Sequence, residues 1–166
     1  VLEIADASFL NGTDYTIFVL EKRESNKSNN YFIGDANSAN EGNTNQNLTL
    51  GYSLNGAIKH SQSSDNTYNA LISDYSSSAG APRIFSFVSD LSKGKKTYIN
   101  GVLAGESANT DPLTGITALK IGNEYKGQIG EIAIFTKALR NSERKSVEDY
   151  LGKKWSSKIL RDSISG

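Results

Sequence analysis

The chain has 166 residues, which fits one domain, and its 18 basic and 18 acidic side chains give a net charge of zero. A balanced charge excludes the strongly positive field on which nucleic-acid binding depends, and the lack of an apolar run of about 18 residues excludes membrane insertion through a helix. Cysteine is absent, so thiol catalysis, disulfides and cysteine-ligated zinc are excluded as well.

Short apolar runs recur along the chain, separated by segments rich in Asn, Ser and Gly. None is long enough for a typical helix, and several have the period of two that indicates a strand lying on a core. Phe85 with Phe87, and later Ile132 with Ile134, alternate in this way. The predicted strands are Tyr15–Leu20, Tyr31–Ile33, Leu48–Leu54, Arg83–Val88, Thr97–Ile99, Leu119–Ile121 and Ile129–Phe135.

Two Asn-Gly pairs predict tight antiparallel hairpins, because this dipeptide tolerates the positive φ angles of a type I′ turn. Asn55-Gly56 follows the run that ends at Leu54, and Asn100-Gly101 lies between Thr97–Ile99 and Val102-Leu103-Ala104. Three further segments are predicted to be long loops, namely Glu24–Asn30, Asp35–Asn47 and Ser61–Gly80. Binding sites are often carried by such loops, and a merely solvated polar segment is the alternative.

One amphipathic helix is predicted near the C-terminus, from about Ser142 to Lys154, with Asn141 or Ser142 as its cap. Gly152 is a weak point inside this helix or its stop signal, and residues 156–166 are predicted to be a tail or linker. The helical phase of Trp155 predicts core packing for this side chain. The apolar face consists of Val147, Tyr150, Leu151 and Trp155, which follow one another at helical spacing.

Several segments stand in a characteristic order along nearly the whole chain: Leu2–Asp6, Tyr15–Val19, Arg83–Val88, Lys96–Leu103, Gly127–Leu139 and Ser142–Trp155. As an ordered set they resemble concanavalin A-like, laminin G-like sandwich domains, in particular the branch found in large secreted and surface proteins of bacteria. The resemblance implies an all-β fold: an antiparallel, jelly-roll-like β-sandwich with one C-terminal α-helix, forming a single domain over residues 1–166. It also implies one or two further strands before Leu2, so we expect the N-terminal edge to be truncated.

The fold that this resemblance implies does not settle function, because such domains bind sugar, calcium, protein or no known ligand. Methionine is absent and the chain opens on Val1, so we expect a piece of a longer polypeptide. Function must therefore be argued from candidate sites.

No catalytic residues are predicted. A retaining glycoside hydrolase of this sandwich type needs two carboxyl groups about 5 to 5.5 Å apart, and its Glu-x-Asp-x-x-Glu signature is absent. Glu131 is expected to have Ile129 and Ala133 as same-face neighbours, so it lacks a carboxylate partner. His60, the single histidine, has no local pattern supplying an orienting carboxylate, and we interpret it as a strand-end residue.

Sugar sites combine an aromatic face with Asp and Asn side chains that bind hydroxyl groups in pairs. Two loop sets offer this combination, although turn-forming Asn and Asp with a half-buried Tyr are the favoured explanation for each set. A calcium ion, which prefers six to eight oxygen ligands, could be held by Asp35 and Asn37 or by the Asp65-Asn66 pair, and no other cofactor is indicated. The first sugar set is Asp65, Asn66, Tyr68, Asp74 and Tyr75, and the second is Asn123, Glu124 and Tyr125.

Three functions remain open after these considerations. The leading hypothesis is a non-catalytic carbohydrate-binding or adhesive module of a larger secreted or cell-surface bacterial protein, with a glycan or a surface protein as partner. The second is a structural or protein-interaction module without a small ligand. The third, a glycoside hydrolase, has no visible acid and base pair to support it.

Overall fold

A computed structural model describes residues 2–34, 48–53, 56–62, 70–73, 79–123 and 125–165, with only the backbone described for 70–73 and 157–165. Two antiparallel sheets pack face to face. In spatial order, the six-stranded sheet contains β1 (Leu2–Ile4), β10 (Leu119–Ile121), β3 (Asn30–Ile33), β4 (Thr49–Tyr52), β5 (Ile58–Ser61) and β6 (Ala70–Ser73). The five-stranded sheet contains β11 (Gly127–Phe135), β2 (Tyr15–Arg23), β7 (Arg83–Asp90), β8 (Gly94–Ile99) and β9 (Val102–Ser107).

The described residues contain one α-helix, α1 (Asn141–Ser165), which follows the last strand and confirms the predicted all-β sandwich with one C-terminal α-helix. A short 3₁₀ helix, Ser8–Leu10, lies between β1 and β2. No helix in the described ranges has the length and apolar character needed to cross a membrane.

The core lies between the two sheets and is built from alternate residues of the strands. Phe85 and Phe87 of β7 stack in parallel with ring centroids 5.9 Å apart, as their period of two predicts. Phe32 of β3 reaches across from the other sheet, with its centroid 5.0 Å from that of Phe85. Such offset and tilted aromatic contacts add to the free energy gained by burial.

The hairpin between β8 and β9 confirms the predicted type I′ turn. Asn100 and Gly101 have φ angles of 50° and 80°, so both central residues are left-handed. The Asn100 side chain also accepts a hydrogen bond of 2.9 Å from the Ile84 amide, which ties the turn to the neighbouring strand β7. The antiparallel pairing of β4 with β5 follows the second prediction, although Asn55 itself lies outside the described residues.

The strands extend further than their apolar runs. β2 continues to Arg23, and at its end the side chains that point inward are polar rather than aliphatic.

The predicted loop Ser61–Gly80 is wrong in one part, because it contains the edge strand β6, which pairs with β5. The sequence Ala-Leu-Ile-Ser of β6 is a short apolar run surrounded by Ser, Asn and Tyr. The polar composition of the whole segment therefore predicted a loop.

The helix differs from its prediction at both ends. Its first turn is capped from within, because the Glu143 carboxylate accepts a hydrogen bond of 2.9 Å from the Arg140 amide, an arrangement typical of a capping box. Gly152 does not end the helix, which continues to Ser165, so the segment predicted as a tail is helical over most of its length. Leu151 is buried as predicted.

Trp155 does not pack in the core between the sheets. It is half-buried between α1 and the outer face of the five-stranded sheet, where its indole N–H donates to Glu131 at 2.9 Å. The helical phase of Trp155 with Leu151 predicted the correct side of the helix, but the surface it covers is the outer face of a sheet.

Candidate functional site

Most of the sugar-binding and calcium-binding candidates lie outside the described residues: Asp35, Asn37, Asp65, Asn66, Tyr68, Asp74, Tyr75 and Glu124. The described strands β5 and β6 nevertheless fix where the chain leaves and re-enters the sheet. Ser61 pairs with Ala70 and Ile58 pairs with Ser73. The chain therefore leaves β6 about 10 Å from the point where it enters that strand, so the segments before and after β6 are joined to opposite ends of this hairpin.

Tyr125, from the second set, is turned toward the interior. Its hydroxyl donates to a carboxylate oxygen of Glu21, and its ring centroid lies 5.4 Å from that of Phe32. Burial, and then the negative charge of Glu21, raise the pKa of Tyr125. Asn123 is half-buried in the preceding turn. The structure thus brings Asn123 and Tyr125 close together but uses the Tyr125 hydroxyl within the fold.

A buried polar cluster surrounds Glu21 at this end of the sandwich. Glu21 is 1% exposed and accepts a hydrogen bond of 2.7 Å from the Tyr52 hydroxyl. The Arg83 guanidinium lies 3.5 Å from the same Glu21 oxygen, and the Arg23 guanidinium lies 4.1 Å from the centroid of the Tyr52 ring. Both Glu21 oxygens are held by partners from the fold, so this carboxylate stabilises the packing of the two sheets. No sequence pattern predicted this cluster, because charged residues at strand ends do not by themselves indicate burial.

Glu131 also serves the structure, although its surroundings differ from those predicted. A β-bulge between Ile129 and Glu131 shifts the register of β11 against β2. Ile129 therefore shares the core face with Ile132, and the predicted pairing of Ile129 with Glu131 on one face is wrong. Glu131 faces α1, where one of its oxygens accepts hydrogen bonds from Lys154 at 2.7 Å and from Trp155 at 2.9 Å.

His60 lies one residue before the end of β5 and is fully buried. Its Nε2 is 2.7 Å from the Tyr15 hydroxyl, and its Nδ1 is 3.4 Å from the Thr97 hydroxyl. Burial, together with the charge of Lys95, lowers the pKa of His60 well below its usual value. The imidazole is thus a neutral member of a core hydrogen-bond network.

The described surface has several clefts, of which two are distinguished by their lining. The edge groove, of about 500 Å³, lies where the free edges of β1 and β11 face each other. The cationic cleft, of about 270 Å³, lies between the outer face of the five-stranded sheet and the first turn of α1, and is defined by Lys93, Lys96, Arg140 and Arg144. The edge groove is lined mainly by aliphatic side chains, namely Leu2, Ile4, Ile121, Ile129, Ile132 and Ile134, with Tyr125 and Glu131 beside them.

Metal ligands are not assembled in the part of the chain that the structure describes, since no three His, Asp or Glu side chains converge there. The proposed calcium ligands Asp35 and Asn37 lie outside that part. The described surface therefore offers an apolar groove and a charged cleft as its candidate binding features.

Comparison with solved structures shows the same fold in sugar-binding proteins. Domain 4 of AbnA, a GH43 extracellular arabinanase from Geobacillus stearothermophilus solved in complex with arabinotriose, matches with a TM-score of 0.58 and 22% identity over 79% of this chain and 64% of that one. The CBM40 domain of the Ruminococcus gnavus IT-sialidase, bound to α2,3-sialyllactose, matches with a TM-score of 0.65 and 15% identity over 86% of both chains.

A third match is botulinum neurotoxin type C, whose cell entry depends upon interaction with two ganglioside molecules. It has a TM-score of 0.60 and 16% identity over 87% of this chain and 37% of that one. The chain thus spans less than two thirds of the arabinanase domain and just over one third of the toxin chain. A search of the curated proteins found no match to this sequence.

The family itself is established from the sequence. A laminin G-like family model matches residues 1–143, which is most of the chain and includes every strand of both sheets. The order of strands and the packed aromatic core agree with that match. The chain belongs to the concanavalin A-like lectin/glucanases superfamily.

Proposed function

We propose that this chain is a non-catalytic carbohydrate-binding module of a larger bacterial protein that is secreted or displayed on the cell surface. The observation that carries this proposal is the family match over residues 1–143, joined to a fold shared with domains solved in complex with arabinotriose and sialyllactose. A carbohydrate-binding domain is the role that these relatives have in common.

A non-catalytic role is supported by three buried or half-buried carboxylates that already accept hydrogen bonds from side chains of the fold. A glycosidase needs one carboxyl group free to protonate the leaving oxygen and a second free to act as nucleophile or base. Glu21 is occupied by Tyr52, Tyr125 and Arg83, and Glu131 by Lys154 and Trp155. Glu148 accepts from Ser86 and Arg144. Each of these three carboxylates is therefore committed to holding the fold together.

For the sugar site itself we propose Asp65, Asn66 and Tyr68, with Asp74 and Tyr75 as further contacts. A carboxylate and an amide can share two adjacent hydroxyls while a Tyr ring stacks on the apolar face of the sugar. This first set is favoured over Asn123 and Tyr125, because the Tyr125 hydroxyl already donates to Glu21 and its ring packs on Phe32.

A glycan array with multivalent display, followed by calorimetry, tests the proposal. With one shallow site we expect a dissociation constant near 1 mM, or about −4 kcal/mol, which becomes useful when several copies act together. Asp65→Ala and Tyr68→Ala should each abolish measurable binding. Asp149→Ala and Tyr150→Ala are the matched controls, because they remove the same side-chain types from exposed positions of α1 and should leave binding unchanged.

Two outcomes would contradict the proposal. Binding that survives both loop substitutions would reject this site, and a negative array with multivalent display would reject carbohydrate binding. Repeating the calorimetry with calcium and with EDTA tests the further proposal that Asp35 and Asn37 hold a calcium ion that supports the site.

The edge groove favours a second candidate, a protein-interaction module. Its lining is mainly aliphatic, and its polar side chains Tyr125 and Glu131 are already hydrogen-bonded within the fold. An extended polypeptide can pair with a free strand edge and place apolar side chains in such a groove. A negative glycan array would make this the leading function.

A further inference from the structure

The cationic cleft is built on the outer face of the five-stranded sheet. Along β8 the side chains of Thr97 and Ile99 point to the core, so the alternate residues Lys96 and Tyr98 lie on the outer face. The residues that open α1 form the opposite wall. The volume of about 270 Å³ is close to the lower limit of small-molecule sites, which is roughly 300 Å³.

Arg144 is the fixed part of this cleft. It is 2% exposed, and its guanidinium carbon lies 3.5 Å from the centroid of the Tyr98 ring. One terminal nitrogen donates to Glu148, but among the described residues no acceptor lies within hydrogen-bond distance of Arg144 Nε. A buried N–H without an acceptor is unusual in a folded protein, and a bound group or an ordered water is its ordinary partner.

The rim of the cleft carries three more cations from separate elements. Lys93 lies in the turn before β8, Lys96 in β8, and Arg140 just before α1. Their side chains are 79%, 46% and 77% exposed. Long exposed cationic side chains of this kind can turn toward a ligand without rearrangement of the backbone.

The lining of the cleft is positive, although each of its cations also has an acidic neighbour. Asp90 is the one carboxylate that lines the cleft, against four basic side chains. It accepts a hydrogen bond from the Ser92 hydroxyl, which is the main cause of the lowered pKa of Asp90, and it lies 3.9 Å from Lys93 Nζ. Glu106 and Glu143 pair with Lys96 and Arg140 from outside the lining. The pair of Lys96 with Glu106 is exposed, so solvent screens its attraction, whereas Glu143 is half-buried.

The cleft offers charge and not a stacking surface. One face of Tyr98 is covered by Arg144, so a sugar ring cannot lie on that face. A carboxylate or sulfate group, in contrast, matches the guanidinium and ammonium donors in geometry as well as in charge. We propose that the cationic cleft binds the carboxylate or sulfate group of an acidic saccharide, as a second site apart from the loops.

The saccharide part of this proposal rests on the proposed function, whereas the anion part rests on the cleft alone. The test compares binding of the full chain to dextran, dextran sulfate and oligogalacturonate, with inorganic sulfate as competitor. Lys96→Ala combined with Arg140→Ala removes two exposed rim cations and should weaken binding of the charged polymers about tenfold. Lys22→Ala combined with Lys126→Ala removes the same charge at exposed positions outside the cleft.

The control pair should weaken binding less than about twofold, and added salt should weaken wild-type binding. Preference for dextran sulfate identifies sulfate as the ligand group, and preference for oligogalacturonate identifies carboxylate. Equal losses in the two pairs, unchanged binding in the rim pair, or no preference of the wild-type chain for charged polymers over dextran would each overturn the proposal. If the array shows no binding of neutral glycans but the charged polymers bind and are displaced by inorganic sulfate, the loop site is rejected and the proposal for the cleft stands.

Discussion

Single polar residues hold the interior of this sandwich together in ways that hydrophobicity does not reveal. Glu21 and Arg83 face the core from neighbouring strands, and His60 bridges β5 to β2 through Tyr15. Sequence alternation predicted the apolar core, including Phe85 and Phe87, because each strand places every second residue inward. It could not predict which charged residues would also be inward, since their burial depends on partners from distant strands.

His60 makes stability depend on pH in a defined window. The folded pKa lies well below the unfolded value of 6.5, so the unfolded chain binds more protons and stability falls as pH drops below about 6.5. Below pH 6.5 the slope of this loss has an upper limit of about 1.4 kcal/mol per pH unit, the value for one proton. Urea unfolding of wild type and of His60→Gln at several pH values measures it. Equal slopes in the two proteins would show that His60 is not the group responsible.

At the scale of elements, the contact between β11 and α1 is the feature that sequence reasoning described least well. Periodicity predicted both elements and most of their apolar faces, but it was wrong for Tyr150, which is 59% exposed. The β-bulge between Ile129 and Glu131 was not predicted, because it reverses the alternation midway along the strand and has no residue signature beyond Gly130. The length of α1 was missed because a polar C-terminal segment resembles a linker in composition.

Two glycine substitutions at this contact should have opposite effects. A Cβ at Gly130 would lie 2.6 Å from Leu20 Cδ2 and 3.1 Å from the Trp155 ring, so Gly130→Ala should destabilise the fold by about 1–3 kcal/mol. At Gly152 the nearest atom would be 3.9 Å away, so Gly152→Ala should stabilise α1 by about 0.5–1 kcal/mol. Urea denaturation measures both. A Gly130→Ala variant as stable as the wild type would show that Leu20 and Trp155 can move aside at little energetic cost.

At the scale of the whole molecule, the two sheets share one core, and α1 packs on the outer face of the five-stranded sheet. Phe32 of one sheet contacts Phe85 and Phe87 of the other, so neither sheet buries its inner face alone. The family resemblance predicted this architecture, because its matching segments are core and turn residues. For the same reason it could not locate a ligand, since the proposed sugar contacts were predicted to lie in loops and are not among the matching segments.

A shared core predicts a single cooperative unfolding transition. Far-UV circular dichroism reports on the sheets and α1 together, while fluorescence of Trp155, the one tryptophan, reports on the contact of α1 with β11. The two urea curves should coincide within error. A fluorescence transition at clearly lower urea would show that α1 detaches while the sandwich remains folded.

The turn at Asn100-Gly101 also bears on how the protein ages. Asn-Gly is the dipeptide most prone to spontaneous deamidation, which begins when the glycine amide nitrogen attacks the asparagine side chain. Here the Asn100 side chain is held by the Ile84 amide, and the Asn100 amide donates to the Ile84 carbonyl at 2.8 Å. This double tether restricts the rotation that the attack requires, so the folded hairpin protects Asn100 from a reaction that would proceed readily in the unfolded chain.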